Sequence, residues 1–292
     1  MRQKSDLIPG LLFLLPNLIG FVIFVAIPVV FSLVLAFSEW DLLSGAQGIE
    51  FVGLDNFAQM ARDDWFVASF WNNIAFSFFT VALSMAVGLA MALLLNKGVY
   101  ATTFMRTAYF VPYVVSTVAI SAIWMAMLSR FGPLSQLVRL FGFEEAPVWL
   151  MDTRFALPAI ISLSVWNHAG YCMLIYLAAL QGVPKELYEA CEVDGGTWWH
   201  KFRSVTLPMI SPATFLLLVT QVIWSFKVFA PVQLLTQGGP GRSTTVLVYH
   251  IYRTAYQNYR MGYAASLAWV LFAIIFLVTI FQWQGQKKWV NY

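Results

Sequence analysis

"ELYEACEVDGGTWWHKFRSVTLP", Glu186 to Pro208, interrupts an otherwise mostly apolar chain with a dense run of polar groups. It carries four acids (Glu186, Glu189, Glu192, Asp194), a Gly195-Gly196 pair and a closing Leu207-Pro208, and long apolar stretches flank it. The 292-residue chain around it is 60% hydrophobic and only 11% charged, with mean hydropathy +0.72. Soluble domains carry roughly 25% charged residues, so most of this surface is solvated by lipid. Apolar segments long enough to span a bilayer fall at about 11–37, 70–95, 104–128, 155–180, 210–235 and 262–283. Backbone groups in hydrocarbon must be satisfied within their own segment, which selects helices over open strands. The expected fold class is all-α and integral to the membrane. Six transmembrane helices form a single domain over 1–292, with 182–208 as a loop inside it.

Arg2 and Lys4 precede the first apolar run, as in a secretory signal. The run exceeds a cleavable hydrophobic region and lacks a small-x-small cleavage site, so it reads as a retained span. Cys172 and Cys191, the two cysteines, fall on different elements and give no disulfide framework. Six spans put both termini on one side. With that side cytoplasmic, nine Lys/Arg lie inside and seven outside, a small bias in the direction of the positive-inside rule.

Between spans, "EFVGLDNF" (50–57) reads as ordered loop, and "FGPLSQLVRLFGF" (131–143) as a short interfacial helix. Ser84, Gly88 and Ala92 recur every four residues, a stripe that lets another helix approach closely. Gly238–Thr244 lacks the spacing and the Lys of a phosphate loop and reads as a tight turn. Tyr249, Tyr252, Tyr256, Tyr259 and Tyr263 share one helical stripe. It is read first as an interfacial belt and second as a partner surface.

Within the opening stretch, Pro184 suits a first helical turn because its missing N–H would be orphaned there anyway. Lys185–Asp194 then forms about three turns, with Leu187, Ala190, Cys191 and Asp194 on one face. Gly195-Gly196 ends this helix, and Thr197 caps a second over 198–205. Leu207-Pro208 turns the chain into the fifth span. Two short helices on a glycine hinge could by themselves be an ordinary amphipathic connector.

The spacing Glu189-Ala190-Cys191, Gly195, Val205, Leu207, Pro208 resembles E-A-A-x₃-G-x₉-I-x-L-P, the loop signature of permease subunits in bacterial ATP-binding-cassette importers. Cys191 replaces the second Ala and Val205 replaces Ile, both small changes. "LYEACEVDGG", "FRSVTLP", "LLTQGGP" and "YRTAYQNYRMGYAAS" are similar to the carbohydrate branch, on the side of its first permease. The resemblance implies a type I importer fold whose loop is a cytoplasmic coupling helix docking into a separate ATPase subunit. Glu189, Ala190, Cys191, Asp194, Gly195, Leu207 and Pro208 would make that coupling. It also implies a second permease, an ATPase dimer that binds ATP and Mg, an extracytoplasmic solute-binding protein and a sugar or polyol substrate. This chain itself would be a non-catalytic subunit of the cytoplasmic membrane, with no cofactor, metal or nucleic-acid partner.

Polar residues inside spans are costly and usually face a bundle interior. In the fourth span Ser164, Asn167, His168 and Tyr171 share a face. In the fifth, Gln221, Ser225 and Val228 form another, with Trp224 beside it. Amides, hydroxyls, imidazole and aromatic faces suit a sugar, and the resemblance places these spans at the transported substrate. The competing reading is interhelical hydrogen bonding. Lys227 points about 200° away from Ser225 and is close enough to the span end to snorkel. An ion-coupled transporter would carry acidic or paired charges within its spans. An intramembrane enzyme would carry a catalytic set such as H-E-x-x-H, whereas His168, His200 and His250 are scattered.

Overall fold

The computed structural model describes residues 7–45, 48–96, 102–142 and 146–290. Arg2, Lys4 and Lys97, which enter the charge comparison, lie outside the described residues. The chain divides into two compact units, 1–63 with 251–272 and 64–250 with 273–292.

In the first unit α1 (Leu7–Phe21) runs through a π-helical turn, Val22–Ala26, into α2 (Ile27–Ala36). The wide turn falls where Pro28 withholds the N–H that would bond to the Phe24 carbonyl. β1 (Ser38–Glu39) then pairs antiparallel with β2 (Glu50–Phe51), Ser38 opposite Phe51, and α3 (Asp55–Met60) follows. Buried Asn56 donates from Nδ2 to the carbonyls of Ala36 (3.1 Å) and Ser38 (2.9 Å), tying α3 to the end of α2. "EFVGLDNF" is ordered for this reason.

The second unit begins with α4 (Asp64–Asn96), whose 33 residues extend about 50 Å, beyond a hydrocarbon core of about 30 Å. α5 (Thr102–Val114), α6 (Thr117–Met127) and the short α7 (Pro133–Leu140) lead to α8 (Ala156–Gln181). α9 (Lys185–Val193) and α10 (Trp198–Lys201) form the loop. A π turn at Phe202–Thr206 and α11 (Leu207–Met209) carry it into α12 (Ser211–Phe226) and then α13 (Ala230–Leu235). α14 (Leu247–Tyr252), a π turn at Arg253–Gln257 and α15 (Met261–Gln286) complete the chain and bring it back through the first unit.

Four helical stretches among the described residues are long and apolar enough to cross a membrane: Leu12–Ala36, Asp64–Asn96, Ala156–Gln181 and Met261–Gln286. Two bent pairs raise the number to six if each is one span. α4 and α8 pack so closely that a Cβ on Gly88 would lie 2.9 Å from the Met173 nitrogen, so the Ser84-Gly88-Ala92 stripe is a helix contact.

Three expectations change. The apolar run 104–128 is two helices bent by 97° at residues 115–116. Pro112 and the β-branched run Val114, Val115, Thr117, Val118 weaken the helix there, and Ser116 leaves helical geometry (φ −51°, ψ 127°). The fifth apolar run is also divided. α12 ends at Phe226, and Val228 packs with Phe76, Ile160 and Val232 beyond the break, no longer continuing the face of Gln221 and Ser225. The tyrosines do not share one stripe either. The π turn and the left-handed Tyr259 (φ 58°) interrupt the helix, so Tyr249 and Tyr263 are buried while Tyr256 is exposed.

Candidate functional site

The loop between α8 and α12 is built from its caps inward. Pro184 stands at the N-cap of α9, and Asp194 at its C-cap. Gly195 takes φ +75°; its N–H donates to the Glu192 carbonyl (2.9 Å), and that of Gly196 to Cys191 (2.8 Å). This pair of bonds is a Schellman termination, which needs a left-handed residue where Gly195 stands. Gly196 is required for a different reason: a Cβ there would meet Cys191 Sγ at 2.5 Å and the Cys191 carbonyl oxygen at 2.6 Å. Thr197 (φ −73°, ψ 171°) caps α10, its side chain accepting from the His200 N–H.

The predicted single face of α9 is divided. Cys191 is buried and packs with Tyr176, Leu177, Leu180 and Val205, whereas Glu189, Ala190 and Asp194 are exposed. Cys191 thus anchors the loop to its own chain and does not itself offer close approach to a partner. Tyr188 Oη meets Thr206 Oγ1 at 3.2 Å, and Lys201 is bound to Glu192, so the two short helices are tied together. Leu207 and Pro208 do not end the helix. It continues to Met209 and bends by 63° into α12, where Ser211 Oγ donates to the Pro208 carbonyl (2.6 Å). The outer surface of α9 presents carboxylates beside apolar side chains, with Val193 88% exposed. Such a surface suits a partner that supplies cations around a hydrophobic pocket.

The predicted polar faces of α8 and α12 meet inside the second unit. Ser164, Asn167, His168, Gln221 and Ser225 are all buried, while Tyr171 and Trp224 are half-buried. Ser164 Oγ donates to its own helix, at the Ile160 carbonyl (2.8 Å). Asn167 Nδ2 donates to the Pro112 carbonyl (2.6 Å). In an unbroken helix the N–H of Ser116 would bond there, so Asn167 satisfies an acceptor that the break sets free. Tyr113, one residue on, stacks on Tyr171 (4.8 Å, 19°) and meets His168 edge-on (5.3 Å, 86°). Ser225 Oγ lies 2.5 Å from Ser77 Oγ on α4.

His168 and Gln221 differ from the other members. The His168 ring lies 3.5 Å from that of Trp224, centroid to centroid. The Gln221 side chain is its polar neighbour, yet no directed hydrogen bond from the described residues reaches His168 Nδ1 or Gln221 Oε1. Lys227, by contrast, is exposed at the C-cap of α12. Groups of three or more His, Cys, Asp or Glu placed to hold a metal are absent among the described residues.

With this geometry in view, the family profile described as binding-protein-dependent transport system inner membrane component matches residues 84–287. The chain belongs to that family. It is an ABC transporter permease, a membrane component of a binding-protein-dependent system. The permease is 31% identical to the probable ABC transporter permease protein YesP of Bacillus subtilis (99% of this chain, 94% of that one). It is 33% identical to the probable starch degradation products transport system permease protein AmyD of Thermoanaerobacterium thermosulfurigenes (96% and 94%). The sn-glycerol-3-phosphate transport system permease protein UgpA of Pectobacterium atrosepticum is 31% identical (99% and 97%). Among solved structures, a chain of the bacterial alginate ABC transporter, in complex with an alginate pentasaccharide-bound periplasmic protein, superimposes with TM-score 0.84. It is 25% identical, covering 99% of this chain and 98% of that one.

Sequence reasoning missed the α4 side of the polar layer. Asn73 Nδ2 donates to the Ser225 carbonyl (3.5 Å), and Asn73 Oδ1 accepts from the Leu247 N–H (3.2 Å). The signal was available: Ser69, Asn73, Ser77, Thr80, Ser84, Gly88 and Ala92 continue one stripe along the whole span. Tyr113 had no comparable signal, because its role follows from the bend.

Proposed function

We propose that this permease forms half of the translocation pathway of a sugar importer, as a single six-span domain with both termini cytoplasmic. The loop of α9 and α10 is its coupling element. The observation that carries this reading is the construction of that loop. An outer acidic and apolar surface is fixed to the transmembrane core through Cys191 and set in angle by two glycines that cannot be replaced freely. Glu189, Ala190 and Asp194 face an ATPase subunit, Gly195 holds the lever, and Cys191, Leu207 and Pro208 carry its movement into α8 and α12. Because ATP acts only by favouring one packing over another, a rigid short connector transmits it better than a flexible one. ATP and Mg are bound and hydrolysis occurs in the partner ATPase dimer, and this subunit is not itself catalytic. A second permease completes the pathway, and a solute-binding protein delivers substrate from the extracytoplasmic side.

The names of AmyD and UgpA and the alginate-transporter likeness support a saccharide or phosphorylated-polyol substrate. The predicted pathway residues then divide by hydrogen-bond state. Ser164, Asn167 and Ser225 are already engaged within the bundle and shape its wall. His168 and Gln221, with polar atoms to spare, and the half-buried Tyr171 and Trp224 provide hydroxyl-binding and C–H-stacking groups once the wall opens. The test is uptake by the reconstituted importer with its solute-binding protein, using oligosaccharides, glycerol phosphate and an amino acid in parallel. Uptake of a saccharide or the polyol phosphate is expected. Amino-acid uptake alone would overturn the substrate class.

A further inference from the structure

The two halves of the loop differ in chemistry. α9 and its cap carry Glu186, Glu189, Glu192 and Asp194, whereas the run after Gly196 reads Trp198-Trp199-His200-Lys201-Phe202-Arg203. Trp198 and Trp199 are 57% and 59% exposed, and the Phe202 ring stacks on that of Trp198 at 5.7 Å with planes 7° apart. Indoles have an apolar body and a polar edge, and at membrane proteins they settle at headgroup depth.

The direction of the run agrees. Residues 198–209 form one helical run inclined 63° to α12. Twelve helical residues extend about 18 Å and at this inclination climb only ~8 Å along α12, comparable to one headgroup layer. Arg203 is exposed and makes no ion pair among the described residues, while Lys201 is held by Glu192. Beside the run lies a cavity of ≈ 240 Å³ lined by Leu93, Tyr188, Glu192, Trp198, Lys201 and Phe202, with Asn96 among the others. Its lining joins an apolar wall to amide and phenol groups and to Lys201, whose ammonium is neutralised by Glu192 in the same lining, so the cavity itself suits the uncharged glycerol-ester region of a phospholipid. Arg203, exposed on the same run and outside that lining, is the cation placed to meet the phosphate or a charged headgroup.

We infer that the 198–203 run binds an anionic phospholipid of the bilayer. The Gly195-Gly196 hinge therefore separates an acidic half that faces protein from a basic, aromatic half that faces lipid. Lipid charge then influences the angle at which the coupling element is held. The inference rests on the proposed reading that this loop emerges on the cytoplasmic side.

The test uses the assembled importer in nanodiscs of phosphatidylcholine with increasing phosphatidylglycerol. Native mass spectrometry counts retained phosphatidylglycerol, and ATP hydrolysis stimulated by the solute-binding protein is measured in parallel. Wild type should retain the anionic lipid and respond to its mole fraction. Trp198→Ala with Arg203→Gln should retain at least about fivefold less, the change expected from one basic contact alone, and should respond little. In pure phosphatidylcholine the variant should match wild type, and Arg203→Lys should preserve the lipid response. Equal retention by wild type and the double variant would overturn the inference. So would loss of the ATPase subunit by that variant in phosphatidylcholine, which would make the run a protein-docking surface. Lipid retention is counted whether or not ATP is hydrolysed, so a failure of the coupling reading would show separately, as a wild-type complex without bound ATPase.

Discussion

The loop of α9 and α10 and the polar layer between α4, α8 and α12 are both rich in polar groups, but they satisfy them in opposite ways. The loop turns most of its charges outward and fixes its backbone with capping bonds at Gly195, Gly196 and Thr197. The layer buries its polar groups and fixes its helices through side chains such as Asn73, Ser77 and Asn167. An exposed element depends on backbone geometry, and a buried one depends on which partner each polar atom finds. Substitutions should therefore fail differently in the two places.

The largest effect is expected in the loop. Gly195→Pro imposes a φ near −65° where the chain needs +75°, so the two short helices cannot keep their angle. Uptake should be abolished while membrane insertion, followed by immunoblotting of the membrane fraction, is retained. Normal uptake would mean that the hinge angle does not matter.

In the layer, His168→Leu with Gln221→Leu separates binding from structure. Replacing unsatisfied buried polar atoms by apolar ones of similar size is close to neutral for stability. Uptake should fall at least about tenfold, as expected when two hydrogen bonds of about 1 kcal/mol each are lost, with thermal stability unchanged. A parallel loss of stability would make the pair interhelical glue.

Asn167→Ala should behave in the reverse manner. It strips the Pro112 carbonyl of its donor at the bend between α5 and α6, at a cost of about 1–3 kcal/mol. The thermal transition of the purified complex should drop clearly, and uptake should fall only as far as folded complex is lost. The smallest effect belongs to Lys227→Met. The side chain is exposed at the end of α12, and uptake should change by less than about twofold, as at surface sites generally.

The loop was legible in the sequence because capping is local: Pro184, Gly195 and Thr197 act within a few residues of themselves. Membrane spans were legible as composition. The bend at 115–116 was not, since hydropathy averages over a run whether or not it turns. Nor was the inward aim of Cys191, which depends on Tyr176 and Leu180 in α8. For the polar layer, periodicity identified the α8 and α12 faces. It could not show that Asn167 serves the Pro112 carbonyl while His168 Nδ1 has no such engagement, because those pairings cross between helices distant in sequence.

Photocross-linking in the purified, assembled importer decides whether the outer face of α9 meets the ATPase subunit. A photoreactive benzoylphenylalanine replacing Ala190, exposed on that face, should form an adduct with the ATPase subunit whose yield changes on adding ATP and solute-binding protein. The same group replacing Val193, 88% exposed at the end of the helix, should give the same partner. Adducts with lipid alone, or no ATPase adduct from either position in a complex that still hydrolyses ATP, would contradict the account.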